Sequence, residues 1–274
     1  MNWKQTLFWS FSAAAIFYYF LLFGVFVFVG QEEMQLFIPE WWYIREFLFQ
    51  PGGFCAVAGQ WIIQYYRQPM SAVVLHTVLL VGCGFMVYRI LRCFSDKTYL
   101  LFLSLLPVLY LVKMSIHGEY LVDGTVGVVL MLLALSVSLK VRRAGSIAGY
   151  GIASTLFLCG LTGLLSVCYA FLYTLLALLR YKTSRQRLAA AACLIPALFI
   201  YLFSGWLGIP VPLSDGWMPE AYLEIQRLPH YYMYRVWTFF TLSIVGVALF
   251  ARFVPVIGEK SKWMDRVALV VCLI

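Results

Sequence analysis

Charge is what this chain has least of. Of its 274 residues only 12% are Asp, Glu, Lys or Arg, while 63% are hydrophobic, and the mean hydropathy is +0.87. That scarcity excludes an ordinary soluble domain, because so much apolar surface cannot be hidden in one core; the chain belongs in a bilayer. Histidine is scarce too, with three in the whole sequence. Motifs are equally thin: there is no Gly-rich phosphate loop, no Walker motif, no G-x-S-x-G and no H-E-x-x-H. ATP-driven transport and soluble-type hydrolysis therefore have no support. Seven cysteines give no framework, and no C-x-x-C pair exists. Five of them (Cys83, Cys159, Cys168, Cys193 and Cys272) sit in apolar runs, where cysteine acts as a small hydrophobe. Cys93 reads as cytoplasmic and Cys55 as the one on the outer side, which leaves Cys55 without a local disulfide partner. No metal site and no cofactor are expected.

What is present is long apolar runs. A helix needs about 20 apolar residues to cross the hydrocarbon, and 7–29, 70–90, 98–115, 124–140, 188–209 and 236–254 read as spans. The first is not a cleaved signal peptide. Its apolar core is too long for one and no A-x-A-like site follows, so it reads as an uncleaved anchor. Segment 147–179 is too long for one ordinary crossing and tight for two.

Basic residues resolve that segment. With the N-terminus cytoplasmic and 147–179 folded as a hairpin turning near 160–162, the inside loops hold 15 of the 20 Lys and Arg residues. Arg45, Arg67, Lys113, Arg227 and Arg235 fall outside. A single crossing would put the flanking basic runs on opposite faces, against the positive-inside bias. Glycines at 149, 151, 160 and 163 suit a closely packed hairpin. The expected fold is thus an all-α polytopic membrane domain over 1–274, with eight crossings, in the bacterial inner membrane. The net charge of +8 is the same inside bias and implies no nucleic-acid partner. The last residues, "VALVVCLI" at 267–274, read as the start of a further helix in a longer protein.

Two outer loops are long enough to build something, 30–69 and 210–235, and both are expected to be periplasmic. In the first, residues 40–50 and 54–67 read as amphipathic helices in the membrane interface, meeting at "PGG", 51–53. Phe54, Val57, Trp61, Ile62 and Tyr65 recur at helical spacing, and tryptophan and tyrosine favour the headgroup level.

All three histidines, His76, His117 and His230, fall near the outer side. Loops are polar anyway, so clustering alone means little. Three features exceed that background. Glu32 and Glu33 stand together at the end of the first span, two adjacent acids where an uncharged run stops. Lys113 lies at the edge of the third span, and cations so placed pair with or bind anions. His117, Glu119 and Asp123 share one short link as a possible polar site, with spacing that makes no metal signature.

The stretch "QEEMQLF", followed by "QPGGFCAVAGQWIIQYYRQP", resembles a Bacteroidota family of multi-pass proteins, the domain of unknown function 6057. The matching positions are Glu33, Gln35, Leu36, Phe37, Pro51, Gly52 and Gly53. A second resemblance is architectural: a first span, acids at once, then interfacial helices is similar to the C-superfamily membrane glycosyltransferases. That resemblance implies a polyprenyl-phosphate-linked sugar as substrate and a catalytic carboxylate at Glu32 or Glu33, with Lys113, Arg227 and Arg235 as candidates for the carrier phosphate. This sequence has no D-x-D and no large soluble outer domain. The alternatives are a non-enzymatic anchor or scaffold for an envelope partner and, third, a transporter, which the scarcity of charges within the spans disfavours.

Overall fold

A computed structural model describes residues 3–34, 37–117, 120–203, 206 and 228–253, with the side chains of Met34, 228–235 and Phe253 excluded. Among these residues the chain is helical throughout, with no strand. Its helices are α1 (Trp3–Phe23), α2 (Val25–Met34), α3 (Trp41–Leu48), α4 (Gly53–Ile63), α5 (Pro69–Leu91), α6 (Tyr99–Leu103), α7 (Leu106–Ser115), α8 (Val122–Ser138), α9 (Ala144–Thr162), α10 (Leu165–Arg180), α11 (Ser184–Ala191), α12 (Leu194–Leu202) and α13 (Leu228–Phe253). A single 3₁₀ turn, Gln64–Arg67, joins α4 to α5.

Four helical segments are long and apolar enough to cross a membrane: Trp3–Phe23, Pro69–Leu91, Ala144–Thr162 and Ser184–Leu202. Four shorter apolar ones accompany them: Tyr99–Ser115, Val122–Ser138, Leu165–Arg180 and Val236–Arg252. Breaks within expected spans follow proline. Pro107 stands in the first turn of α7 and Pro196 in that of α12, where a missing N–H costs nothing, so each apolar run restarts as a new helix there. At Gly24 the break between α1 and α2 is slight, because Gly24 N–H donates to Phe20 O and Phe28 N–H to Gly24 O. The helix therefore runs on to Met34 instead of ending before residue 30.

Long-range contacts sort the helix ends into two groups. At one end Gln5 donates to the Tyr88 hydroxyl at 2.9 Å, Tyr99 meets Phe250 edge-on, and Tyr181 and Gln186 donate to the carbonyls of Val141 and Arg142. The links at this end carry Arg89, Arg92, Lys97, Lys140, Arg142, Arg143, Arg180, Lys182, Arg185 and Arg187, and we call it the basic end. At the other, Gln31 donates to Tyr120 O at 2.9 Å, Gly52 N–H to Gly160 O at 3.1 Å, and the Trp237 indole to Gly124 O at 3.4 Å. Glu32, Glu33, Glu40, Glu46 and Asp123 belong there, at the acidic end.

Segment 147–179 is a helical hairpin, as its flanking charges require. α9 and α10 pack together, and the chain reverses at Gly163 (φ 61°), slightly beyond the 160–162 expected. Gly52, at φ 85°, lies against that turn, so the α3–α4 corner and the hairpin tip interlock through two glycines in the left-handed region.

Residues 40–67 do form two helices broken at 49–52, and one face of α4 is held against the bundle. It packs along α8 and touches α9. Its buried face is Gly53, Cys55, Gly59 and Ile63, while of the expected apolar stripe Phe54, Trp61 and Tyr65 are exposed and Val57 and Ile62 half-buried. The aromatics of the stripe mark the exposed face, and the small residues mark the packed one. α13 begins eight residues before the expected span, inside the loop expected over 210–235. The rest of that loop and residues 267–274 lie outside the described residues.

Candidate functional site at the acidic end

The acidic end is built on α2. In an apolar helix one turn of polar residues must be accounted for, since each buried polar atom needs a partner. Gln31 is only 2% exposed, and its amide N–H reaches the carbonyl of Tyr120 across the bundle. Its Oε1 is buried with no hydrogen-bond partner among the described residues. One position further, Glu32 is half-buried, and Glu33 is exposed. The two carboxylates thus crown a helix whose previous residue is locked into the core.

Tyr120 is buried, and its hydroxyl pairs with Thr125 Oγ1 at 3.1 Å. Asp123 begins α8, where its Oδ1 accepts the N–H of Gly124 at 2.7 Å; an acid at a helix start also meets the positive end of the dipole. Asp123 lies directly under Gly59 of α4. A Cβ on residue 59 would come within 2.7 Å of Asp123 Cβ, so glycine is what allows α4 to seat there.

A second polar group is built into the same region. His76, 1% exposed, stacks on Phe28 with centroids 4.3 Å apart and bonds through Nε2 to the Tyr66 hydroxyl. Phe20 and Tyr66 complete an aromatic box around it. His76 Nδ1 has no hydrogen-bond partner among the described residues.

The other sequence-identified positions are dispersed. Lys113 is exposed in the last turn of α7. His117 is exposed in the turn that follows, where its N–H donates to Met114 O and its carbonyl accepts from Tyr120 N–H. Glu119, Arg227 and the side chains of His230 and Arg235 lie outside the description. Among the described residues no ion pair joins Glu32, Glu33 or Asp123 to a cation, and no group of three His, Cys, Asp or Glu could hold a metal. Sequence reasoning missed Gln31, the Tyr66–His76 pair and the Gly59–Asp123 seat. A glutamine just inside an apolar helix end was the available signal for the first; a glycine carries no hydropathy signal for the last.

Beside this cluster a groove of about 460 Å³ opens on the flank of the bundle, lined by Trp61, Ile62, Tyr65, Met70, Ser71, Val74 and Leu75. It is apolar apart from Ser71, and its size falls within the ~300–1,000 Å³ typical of small-molecule sites. The 3₁₀ turn that walls it also touches the chain just past α2, because Gln64 donates to Phe37 O at 3.4 Å. A family model covers residues 1–271, almost the entire chain. The chain belongs to the family of unknown function DUF6057. No curated protein and no solved structure matches it. In this DUF6057 chain the quoted stretches "QEEMQLF" and "QPGGFC" flank α3, and Gln31 and Gly52, beside or within them, make cross-bundle contacts at the acidic end.

Proposed function

We propose that this DUF6057 chain is a multi-pass enzyme of the bacterial inner membrane, with its N-terminus cytoplasmic, eight crossings and its acidic end periplasmic. Its reaction is transfer of a sugar from a polyprenyl-phosphate carrier to an acceptor hydroxyl. Glu33, assisted by Glu32, takes the proton of that hydroxyl as its oxygen attacks the anomeric carbon. The bond from that carbon to the carrier phosphate breaks, and the phosphate leaves with its electron pair and its negative charge. Lys113, Arg227 and Arg235 are the candidate cations for that charge. His117, Glu119 and Asp123 supply further polar contacts.

One observation carries this reading. A lateral apolar groove is walled in part by the turn Gln64–Arg67, and that turn packs against α2, the helix whose last turn carries Glu32 and Glu33. A prenyl chain enters sideways from lipid, and a base must then wait at the headgroup level; a scaffold needs neither. Purification of the full chain in mild detergent, followed by mass spectrometry of the extracted lipid, tests it. Co-purified polyprenyl phosphate or its glycosylated form is the expected result. A lipid extract that mirrors bulk membrane, together with no transfer from added polyprenyl-phosphate sugars, overturns the reading in favour of a scaffold.

A further inference from the structure

At the basic end a second cavity, of about 370 Å³, lies between the last turns of α5 and α8. Phe85, Met86 and Leu133 give it apolar walls, and Arg89, Arg92 and Lys140 stand at its rim with one acid, Asp96. Arg92 is already engaged: it pairs with Asp96 at 3.2 Å and lies over the Tyr88 ring. That pair cancels. Arg89 and Lys140 remain, on two different elements, both exposed and neither with a polar partner among the described residues. Two like charges facing one cavity repel each other, and an anion between them removes the repulsion. The cavity floor does not supply this attraction, because both helices end here and present carbonyls, which favour cations. The side chains alone make the site anionophilic.

We propose that this cavity binds the phosphodiester headgroup of an anionic phospholipid from the leaflet at the basic end. The Arg89 guanidinium takes two phosphate oxygens through its planar fork, and Lys140 supplies a mobile point charge. The acyl chains run along Phe85 and Leu133, both exposed on the bundle flank. Basic pockets between membrane helices hold anionic headgroups in this manner. The inference rests on the membrane reading above and is independent of the transferase reading.

Native mass spectrometry of the full chain, released from vesicles of phosphatidylglycerol and phosphatidylcholine in equal parts, tests it. The chain should retain phosphatidylglycerol in preference to phosphatidylcholine, and excess inorganic phosphate should not displace it, since phosphate lacks the chains. Arg89→Gln and Lys140→Gln should each weaken retention roughly ten-fold, the scale of one charge-assisted contact. The double variant Lys182→Gln, Arg185→Gln removes two exposed charges at the same end and should retain the lipid as the parent does. Equal retention of both lipids, displacement by inorganic phosphate, or equal loss in the control variant overturns the proposal. A chain that fails to enter vesicles at all refutes the membrane reading instead.

Discussion

The seat of α4 on α8 can be broken with one methyl group. Alanine at Gly59 would place its Cβ 2.7 Å from Asp123 Cβ and 3.0 Å from both Asp123 Cα and N. Comfortable carbon contacts lie near 3.5–4.0 Å, and two of these three atoms are backbone, so α4 itself must yield. Overpacking of this kind costs about 1–3 kcal/mol. Against it stands the gain from replacing a helical glycine, at most about 1 kcal/mol. The net effect is destabilisation. Gly149→Ala is the matched control: it lies in α9, and nothing stands within 4 Å of its added Cβ, so it should stabilise by about 0.5–1 kcal/mol. Thermal unfolding in detergent reads both signs. Cys55, a buried thiol one turn before Gly59 on the same face of α4, reads the displacement: maleimide should label it faster in Gly59→Ala than in the parent. An unchanged melting temperature together with unchanged Cys55 labelling would refute the close packing of α4 on α8.

Tyr66→Phe should destabilise the chain by about 1–3 kcal/mol, because it leaves both nitrogens of buried His76 without a partner. Adding His76→Leu to that variant should recover part of the loss, and a strictly additive double-mutant cycle would contradict the pairing. Native Cys93 is exposed at the basic end and Gln50 is exposed at the acidic end. In intact cells an impermeant thiol reagent should label Gln50→Cys and spare Cys93; the reverse pattern would invert the proposed orientation.

How much of this was legible follows from what a sequence encodes in hydropathy. Expected spans 70–90 and 124–140 became Pro69–Leu91 and Val122–Ser138, since uninterrupted apolar runs with basic ends leave little freedom. Charge, not hydropathy, revealed the hairpin of α9 and α10, and Gly163 then fixed the reversal point. What escaped was packing through small residues. Aromatic periodicity in 54–65 pointed to the face that stays exposed, whereas the small side of the helix, Gly59 and Cys55, decides which side of α4 meets α8. The early start of α13 escaped because "LPHYYMYR" is too polar to join a span although it continues the helix. At the site, Glu32 and Glu33 were visible as the first charges after the first span. Gln31 was overshadowed by them, and only the fold reveals that its partner is a carbonyl 89 positions away.

The central claim concerns Glu33. Reconstituted with a polyprenyl-phosphate-linked sugar donor and a hydroxyl acceptor, the parent chain should form glycosylated product, while Glu33→Gln should fold normally, since this residue is exposed and makes no cross-bundle hydrogen bond or ion pair among the described residues. Loss of a positioned general base lowers turnover by about 10²–10⁴-fold, and that loss, with the melting temperature unchanged, is the predicted result. Product formed by Glu33→Gln at the parent's rate would contradict the account and reduce the two glutamates to a helix end.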